Sequence, residues 1–170
     1  MTPYRLSPSW LRRVVAALAL AAMPATWAIE AGAPAPELRL SGLKDAVDLA
    51  ALKGKVVYVD FWASWCGPCK QSFPFMNELQ QRYGAAGLEI VAINLDAKRD
   101  DADKFLAEVP ARFTLAFDAK GESARRFEVK AMPSSVLIGR DGKVVAAHKG
   151  FKEGDRKELE ERIAQLVAAK

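Results

Sequence analysis

The chain has 170 residues, 51% hydrophobic and 27% charged, with a formal net charge of +4. That length and balance fit one globular domain and exclude a disordered, fibrous or collagen-like chain. Two cysteines and one histidine are too few soft ligands for a four-coordinate structural zinc site.

In chain order, Arg5, Arg12 and Arg13 precede an apolar run from Val14 to Ala22, and small residues follow around Thr26 and Ala28. A basic region, a short apolar region and a small-residue site predict a secretory signal peptide over 1–28. An uncleaved N-terminal membrane anchor is the alternative, although the run is short for a bilayer span. The Arg12-Arg13 pair admits a twin-arginine export route. Removing 1–28 takes away three Arg and no acid, leaving 22 basic against 21 acidic residues, a net +1. The basicity therefore belongs to the leader, and no concentrated basic face remains for nucleic acid. Export places the two thiols in an oxidising compartment, here the periplasm. Residues 29–35 are small and proline-rich and predict a linker, followed by one domain over 36–170.

Within that domain, "ELRL" and "AVDLAAL" flank Gly42 and predict a short hairpin. "VVYVDFW" is β-branched and apolar without alternation, as suits a central strand covered on both faces. Helical spacing runs from the cysteines to about Tyr83, with Gly84 and Gly87 ending it. "LEIVAINL" predicts a second buried strand. "RDDADKFLAEVP" predicts a helix capped by Asp100, with Phe105, Leu106 and Val109 on one face. "TLAFD" predicts a strand and "GESARRFEV" a short helix. "SSVLIG" and "KVVAAHKG" predict a hairpin turning at Asp141-Gly142. The last helix starts near Asp155, with Glu158 completing a capping-box-like pair and Leu159, Ile163 and Leu166 as its core face. The sum is an α/β domain, a central mixed β-sheet flanked by helices on both faces.

The only cysteines are Cys66 and Cys69, two residues apart in "WCGPC". A bridge closing so short a loop constrains the unfolded chain little, so chemistry explains the pair better than stapling. On one helix their spacing puts them on the same side. Cys66 falls at the helix start, where unpaired amides favour a thiolate, and Cys69 lies a turn in and deeper. The first sulfur is then the attacking one and the second the resolving one. Pro68 suits the first turn, and Gly67 leaves the Cys66 sulfur approachable. A copper site built from Cys66, Cys69 and His148 stays open as another reading. Asp60 interrupts the apolar strand six residues before Cys66, and a buried lone carboxylate has a raised pKa.

"VDFWASWCGPCK" resembles the thioredoxin active-site strand and helix. With the leader, "SGLKDAVDLAALKGK", the helix near 100–109 and "MPSSVLIGRDGKVVAAHKG", the stretch 36–170 resembles the periplasmic thioredoxin-like thiol–disulfide oxidoreductases of TlpA/ResA type. The resemblance implies a thioredoxin-like fold with an N-terminal hairpin and a central insert, and no cofactor beyond a redox-active Cys66–Cys69 disulfide. It implies Cys66 as nucleophile and Cys69 as resolving thiol. Pro133 would be a cis-proline, exposing the Met132 backbone to an extended substrate segment. Trp65, Gly67 and Pro68 complete the substrate surface. Trp62 either flanks the site or belongs to the core, Pro74 kinks the helix, and Gly150 leaves room beside the site. Asp60 matches the thioredoxin aspartate that helps deprotonate the resolving cysteine through water. The glutamate that many TlpA/ResA-type proteins carry three residues after the second cysteine is Ser72 here. The lysine that thioredoxins place opposite the aspartate is Ala92, with Asn94 following. The resemblance further implies a monomer that reduces disulfides of periplasmic client proteins, with cytochrome c maturation as one setting, fed by a DsbD- or CcdA-type membrane donor. A disulfide oxidase or isomerase of the same fold, or a copper-handling binding protein, are the alternatives.

Overall fold

The computed structural model describes residues 29–169. The predicted leader, its cleavage site and the anchor alternative lie outside the described residues; within them no helix is long and apolar enough to cross a membrane.

Strand β3 (Val56–Trp62) is buried along its whole length, as its run of β-branched and aromatic residues predicts. It lies within a seven-stranded sheet of order β2-β1-β5-β4-β3-β6-β7. On one side it pairs in parallel with β4 (Leu88–Asn94), on the other antiparallel with β6 (Ser134–Ile138). Beyond β6 runs β7 (Val144–Lys149), antiparallel, closing the hairpin signalled by Asp141-Gly142. Beyond β4 lies β5 (Thr114–Phe117), parallel, and onto it folds the hairpin of β1 (Arg39–Gly42) and β2 (Ala46–Asp48). The sheet is mixed, as expected.

Alternate side chains of β3 point to opposite faces and so divide the core in two. Val56, Tyr58 and Trp62 pack with Phe73 and Met76 of α1 (Cys69–Tyr83), Phe105 of α2 (Arg99–Glu108) and Ile163 of α4 (Arg156–Ala168). Val57, Val59 and Phe61 pack on the other face with Leu38 and with Phe127, just past α3 (Glu122–Arg126). Each such side chain contributes about 1.5–3 kcal/mol on burial. The insert, α2 and β5, extends the sheet past β4 and supplies the edge on which the N-terminal hairpin is seated.

Three local expectations change. Asp100 does not cap α2: the N-cap is Lys98 without a side-chain bond, and Asp100 and Asp101 lie in the first turn, where they favour the helix dipole. Glu158 forms no capping box with Asp155, because the carboxylate of Asp155 reaches back to the Lys152 N–H at 3.0 Å instead. As expected, α1 ends at Tyr83 with Gly84 as its C-cap, and after a tight turn over 84–86 the chain reverses at Gly87, with φ of 107°. The stretch read as a linker is bound to the β6–β7 hairpin: Gly32 N–H meets Val144 O at 2.8 Å, Val144 N–H meets Ala33 O at 2.9 Å, and Ala35 N–H meets Gly142 O at 2.9 Å.

Candidate active site

Cys66 and Cys69 are joined in a disulfide with a Cα–Cα distance of 5.3 Å. The helix starts three residues later than the spacing suggests, at Cys69 rather than Cys66. Cys69 is its first residue and Pro68 its N-cap, so Cys66 stands in the preceding turn. The Cys69, Lys70 and Gln71 amides bond the carbonyls of Cys66, Gly67 and Pro68 at 3.0–3.1 Å. Amides expected to be free at the helix mouth are therefore engaged. Cys66 is 4% exposed and Cys69 fully buried, while Trp65 beside them is 72% exposed. Gly67 and Pro68 are exposed too. A Cβ on Gly67 would meet nothing within 4 Å, so packing does not demand a glycine there.

Beneath the turn, Asp96 is buried and fully bonded. Its carboxylate accepts the Ser64 N–H and Oγ–H, each at 2.9 Å, and the Asn94 amide at 2.7 Å; its own N–H reaches Asn94 Oδ1 at 3.1 Å. Leu95 N–H bonds Trp62 O at 2.9 Å. These bonds fix the chain two residues before Cys66. Sequence reasoning missed the clamp; its signal is the Asn-x-Asp run leaving β4, where short polar side chains bond nearby backbone.

The Met132–Pro133 peptide is cis, as the resemblance implied. The register Asp60–Ser135, Phe61–Ser134 carries Pro133 toward the end of β3 from which the Cys66 turn springs. Ser134 Oγ–H takes the Ala131 carbonyl at 2.7 Å and Gly150 N–H takes the Pro133 carbonyl at 2.8 Å. Among the described residues no bond to the Met132 backbone occurs. Gly150 has φ of 81°, and a Cβ there would meet nothing within 4 Å. Its glycine answers a left-handed backbone rather than a need for room. Pro74 sits on the exposed side of α1 and removes the N–H that would bond the Lys70 carbonyl.

Asp60 is 2% exposed, and its Oδ2 has no hydrogen-bond partner. Burial pushes its carboxyl well above the ordinary aspartate range. Its face of β3 is the one carrying Tyr58 and Trp62 toward Cys69. On β4 its register partner is Ala92, with Asn94 paired to Trp62, so no lysine stands opposite. Ser72 is buried but turned to its own helix, its Oγ–H on the Cys69 carbonyl at 3.1 Å. Trp62 is a core residue. It is fully buried, with ring centroids 5.0 Å from Phe73 and 4.8 Å from Phe105.

The copper alternative needed Cys66, Cys69 and His148 to converge. His148 Nε2 lies instead 3.2 Å from Asp155 Oδ2, and the two sulfurs are bonded to each other. Among the described residues no group of three or more His, Cys, Asp or Glu side chains could share a metal ion.

The family model described as Redoxin matches residues 30–163. The thiol-disulfide oxidoreductase ResA of Bacillus thuringiensis subsp. konkukian is 34% identical over 140 residues, covering 82% of this chain and 80% of the relative. ResA of Bacillus subtilis is 32% identical over 123 residues, covering 72% and 69%. A crystal structure described as a thiol:disulfide interchange protein DsbE, from Chlorobium tepidum, superposes with a TM-score of 0.81 at 52% identity, over 83% of this chain and 100% of that one. A thiol:disulfide interchange protein from Bacteroides sp., at 24% identity and a TM-score of 0.71, shares the fold.

Proposed function

Because this chain belongs to the redoxin family of thioredoxin-fold thiol–disulfide oxidoreductases, we propose that it reduces disulfides of periplasmic client proteins through the Cys66–Cys69 dithiol. The observation that carries this reading is the asymmetry of the pair. Trp65, Gly67 and Pro68 around Cys66 are exposed and Cys66 itself is 4% exposed, while Cys69 is fully buried; Met132, whose backbone makes no hydrogen bond among the described residues, packs against the same cluster.

An extended client segment pairs with the Met132 backbone, bringing its disulfide to Cys66. The Cys66 thiolate attacks one client sulfur; the client S–S bond breaks, and the other client sulfur leaves as a thiolate and takes a proton from solvent. Asp60 then accepts the Cys69 proton. The Cys69 thiolate attacks Cys66 Sγ, the mixed disulfide breaks, and the second client thiolate is protonated in turn. The client gains two electrons and two protons; the protein loses two electrons and holds the Cys66–Cys69 bond. A membrane thiol donor of DsbD or CcdA type restores the dithiol. Apocytochrome c thiols are a fitting client class, since their use requires reduction before haem attachment.

Cys69→Ser tests the reading. In oxidised exported extract it accumulates clients as mixed disulfides on Cys66, whereas Cys66→Ser accumulates none. An empty Cys69→Ser trap contradicts the proposal.

A further inference from the structure

Each turnover leaves a proton on Asp60, and that proton must depart from a carboxyl buried inside the sheet. The register aligns a polar row there. Asp60 on β3 pairs with Ser135 on β6, and Ser135 pairs with His148 on β7. Directly opposed residues share a face, with Cβ atoms about 4.5–5.5 Å apart. Tyr58, two residues before Asp60, shares that face too. Its phenol donates to Ser135 Oγ at 2.8 Å, within the buried interior. With Tyr58 as donor, the serine's own hydrogen remains available to another acceptor; among the described residues Ser135 makes no bond to Asp60 or His148, and Asp60 Oδ2 is unpartnered. Beyond Ser135 lies a cavity of about 40 Å³, lined by Tyr58, Ser135, His148, Asp155, Glu158 and Arg162, large enough for a single water. Its outer wall is the His148–Asp155 pair, each side chain about a third exposed.

We propose that Ser135, oriented by Tyr58, is the positioning residue of Asp60 and the outlet for its proton. Its hydroxyl donates to the Asp60 carboxylate in the ionised state. When Asp60 carries the proton, Ser135 Oγ accepts it while releasing its own hydrogen to a cavity water at the His148 side. One proton leaves Asp60 and one reaches solvent. This deepens the proposed function and rests on Asp60 acting as the base for Cys69.

Of the donors on Asp60's face, the Tyr58 phenol is already committed to Ser135, and the buried Trp62 indole N–H, two residues along β3, is the one other donor without a partner among the described residues. On its own strand there are Tyr58 and Trp62, on β4 the uncharged Ala92, on β6 Ser135, on α1 Cys69, and α4 brings the apolar Ile163 to the same core. The charged groups His148, Asp155, Glu158 and Arg162 stand across the cavity. The Tyr58 phenol is pushed above its ordinary value by burial and by the Asp60 charge, the Ser135 bond opposing both. It therefore stays a protonated donor throughout the working pH range.

The test uses full-length reduced protein and the aromatic disulfide 5,5′-dithiobis(2-nitrobenzoate), whose released thiolate is coloured. The first release reports Cys66 attack and the second reports resolution by Cys69, followed across pH by stopped flow. Ser135→Ala is expected to move the Asp60 inflection of the second phase up by about one pH unit, a tenfold loss below it. Ser135→Thr restores the wild-type profile, and Tyr58→Phe shifts it the same way. His148→Ala slows the second phase in dilute buffer, and added imidazole restores it. A Ser135→Ala profile that superimposes on wild type, while Asp60→Asn loses the inflection, overturns the proposal and leaves the base reading intact. If Asp60→Asn itself superimposes on wild type, the base reading fails and this inference falls with it. A His148→Ala rate equal to wild type in dilute buffer overturns the outlet.

Discussion

At Asp60 the protein carries a carboxyl whose charge the fold resists. Its folded-state pKa is raised by burial, so the penalty appears only as pH rises. Below the unfolded aspartate value, about 3.9, both states are protonated and nothing is lost. Between that value and the raised folded one, stability falls by about 1.4 kcal/mol per pH unit, then levels off. Asp60→Asn should therefore match wild type in acid and exceed it increasingly toward neutral pH, as read from denaturant midpoints of the oxidised protein. A constant gap at all pH values would contradict the burial argument. The two tryptophans around the site separate in the same way. Trp62→Ala removes a fully buried ring wedged against Phe73 and Phe105 and should cost about 3–5 kcal/mol. Trp65→Ala, at an exposed position, should alter stability by less than about 0.5 kcal/mol while lowering the rate of client reduction. At this scale the sequence exposes chemistry that breaks a local pattern. Asp60 stands out because it interrupts an apolar strand, and the cysteines because there are only two. Tyr58 and Ser135 do not stand out, because they lie 77 residues apart and only the strand register brings them together; Ser64 likewise stands 32 residues from Asp96, whose Asn-x-Asp setting is the one local trace of the clamp.

Among the elements, α1 and β3 position the redox pair, and their existence was legible from apolar runs and glycine stops. Their ends were not. Cys66 falls outside α1 because the Gly67-Pro68 step forms a turn whose carbonyls take the first helical amides. The helix starts of α2 and α4 depart from expectation for different reasons: Asp100 falls inside the first turn of α2 rather than before it, whereas Asp155 does stand at the N-cap of α4 but its carboxylate is taken by the Lys152 N–H, so Glu158 has no box to complete. The opposite end of the fold is tied by Arg140. Its guanidinium donates to the carbonyls of Gly54 at 2.7 Å, Val167 at 2.8 Å, Ala86 at 3.1 Å and Ala169 at 3.2 Å, joining the end of α4 to the turns that lead into β3 and β4. Arg140→Ala should cost about 2 kcal/mol in urea unfolding, a charge-assisted network discounted for partial exposure. Arg140→Lys should recover little of it, because an ammonium cannot span four carbonyls as a planar fork does. Full recovery by lysine would show that charge alone matters there.

The whole molecule is a mixed sheet between two cores, with the reactive disulfide at one end of its buried central strand. That architecture was legible because strand and helix patterns alternate and then close with a hairpin and helix. The seating of the N-terminal hairpin on β5, and of residues 32–35 on the β6–β7 turn, was not, since backbone pairing leaves little trace in side-chain pattern. Function depends on which way this assembly moves electrons. The Gly-Pro pair between the cysteines is that of thioredoxin, and no histidine stands between them to stabilise the thiolate of a strong oxidant. The direct measurement is equilibrium of the Cys66–Cys69 couple with glutathione and dithiothreitol buffers. A reductase of this kind should show a potential near −270 mV, the thioredoxin value, whereas one at or above about −180 mV would place the protein among oxidases and isomerases and contradict the account.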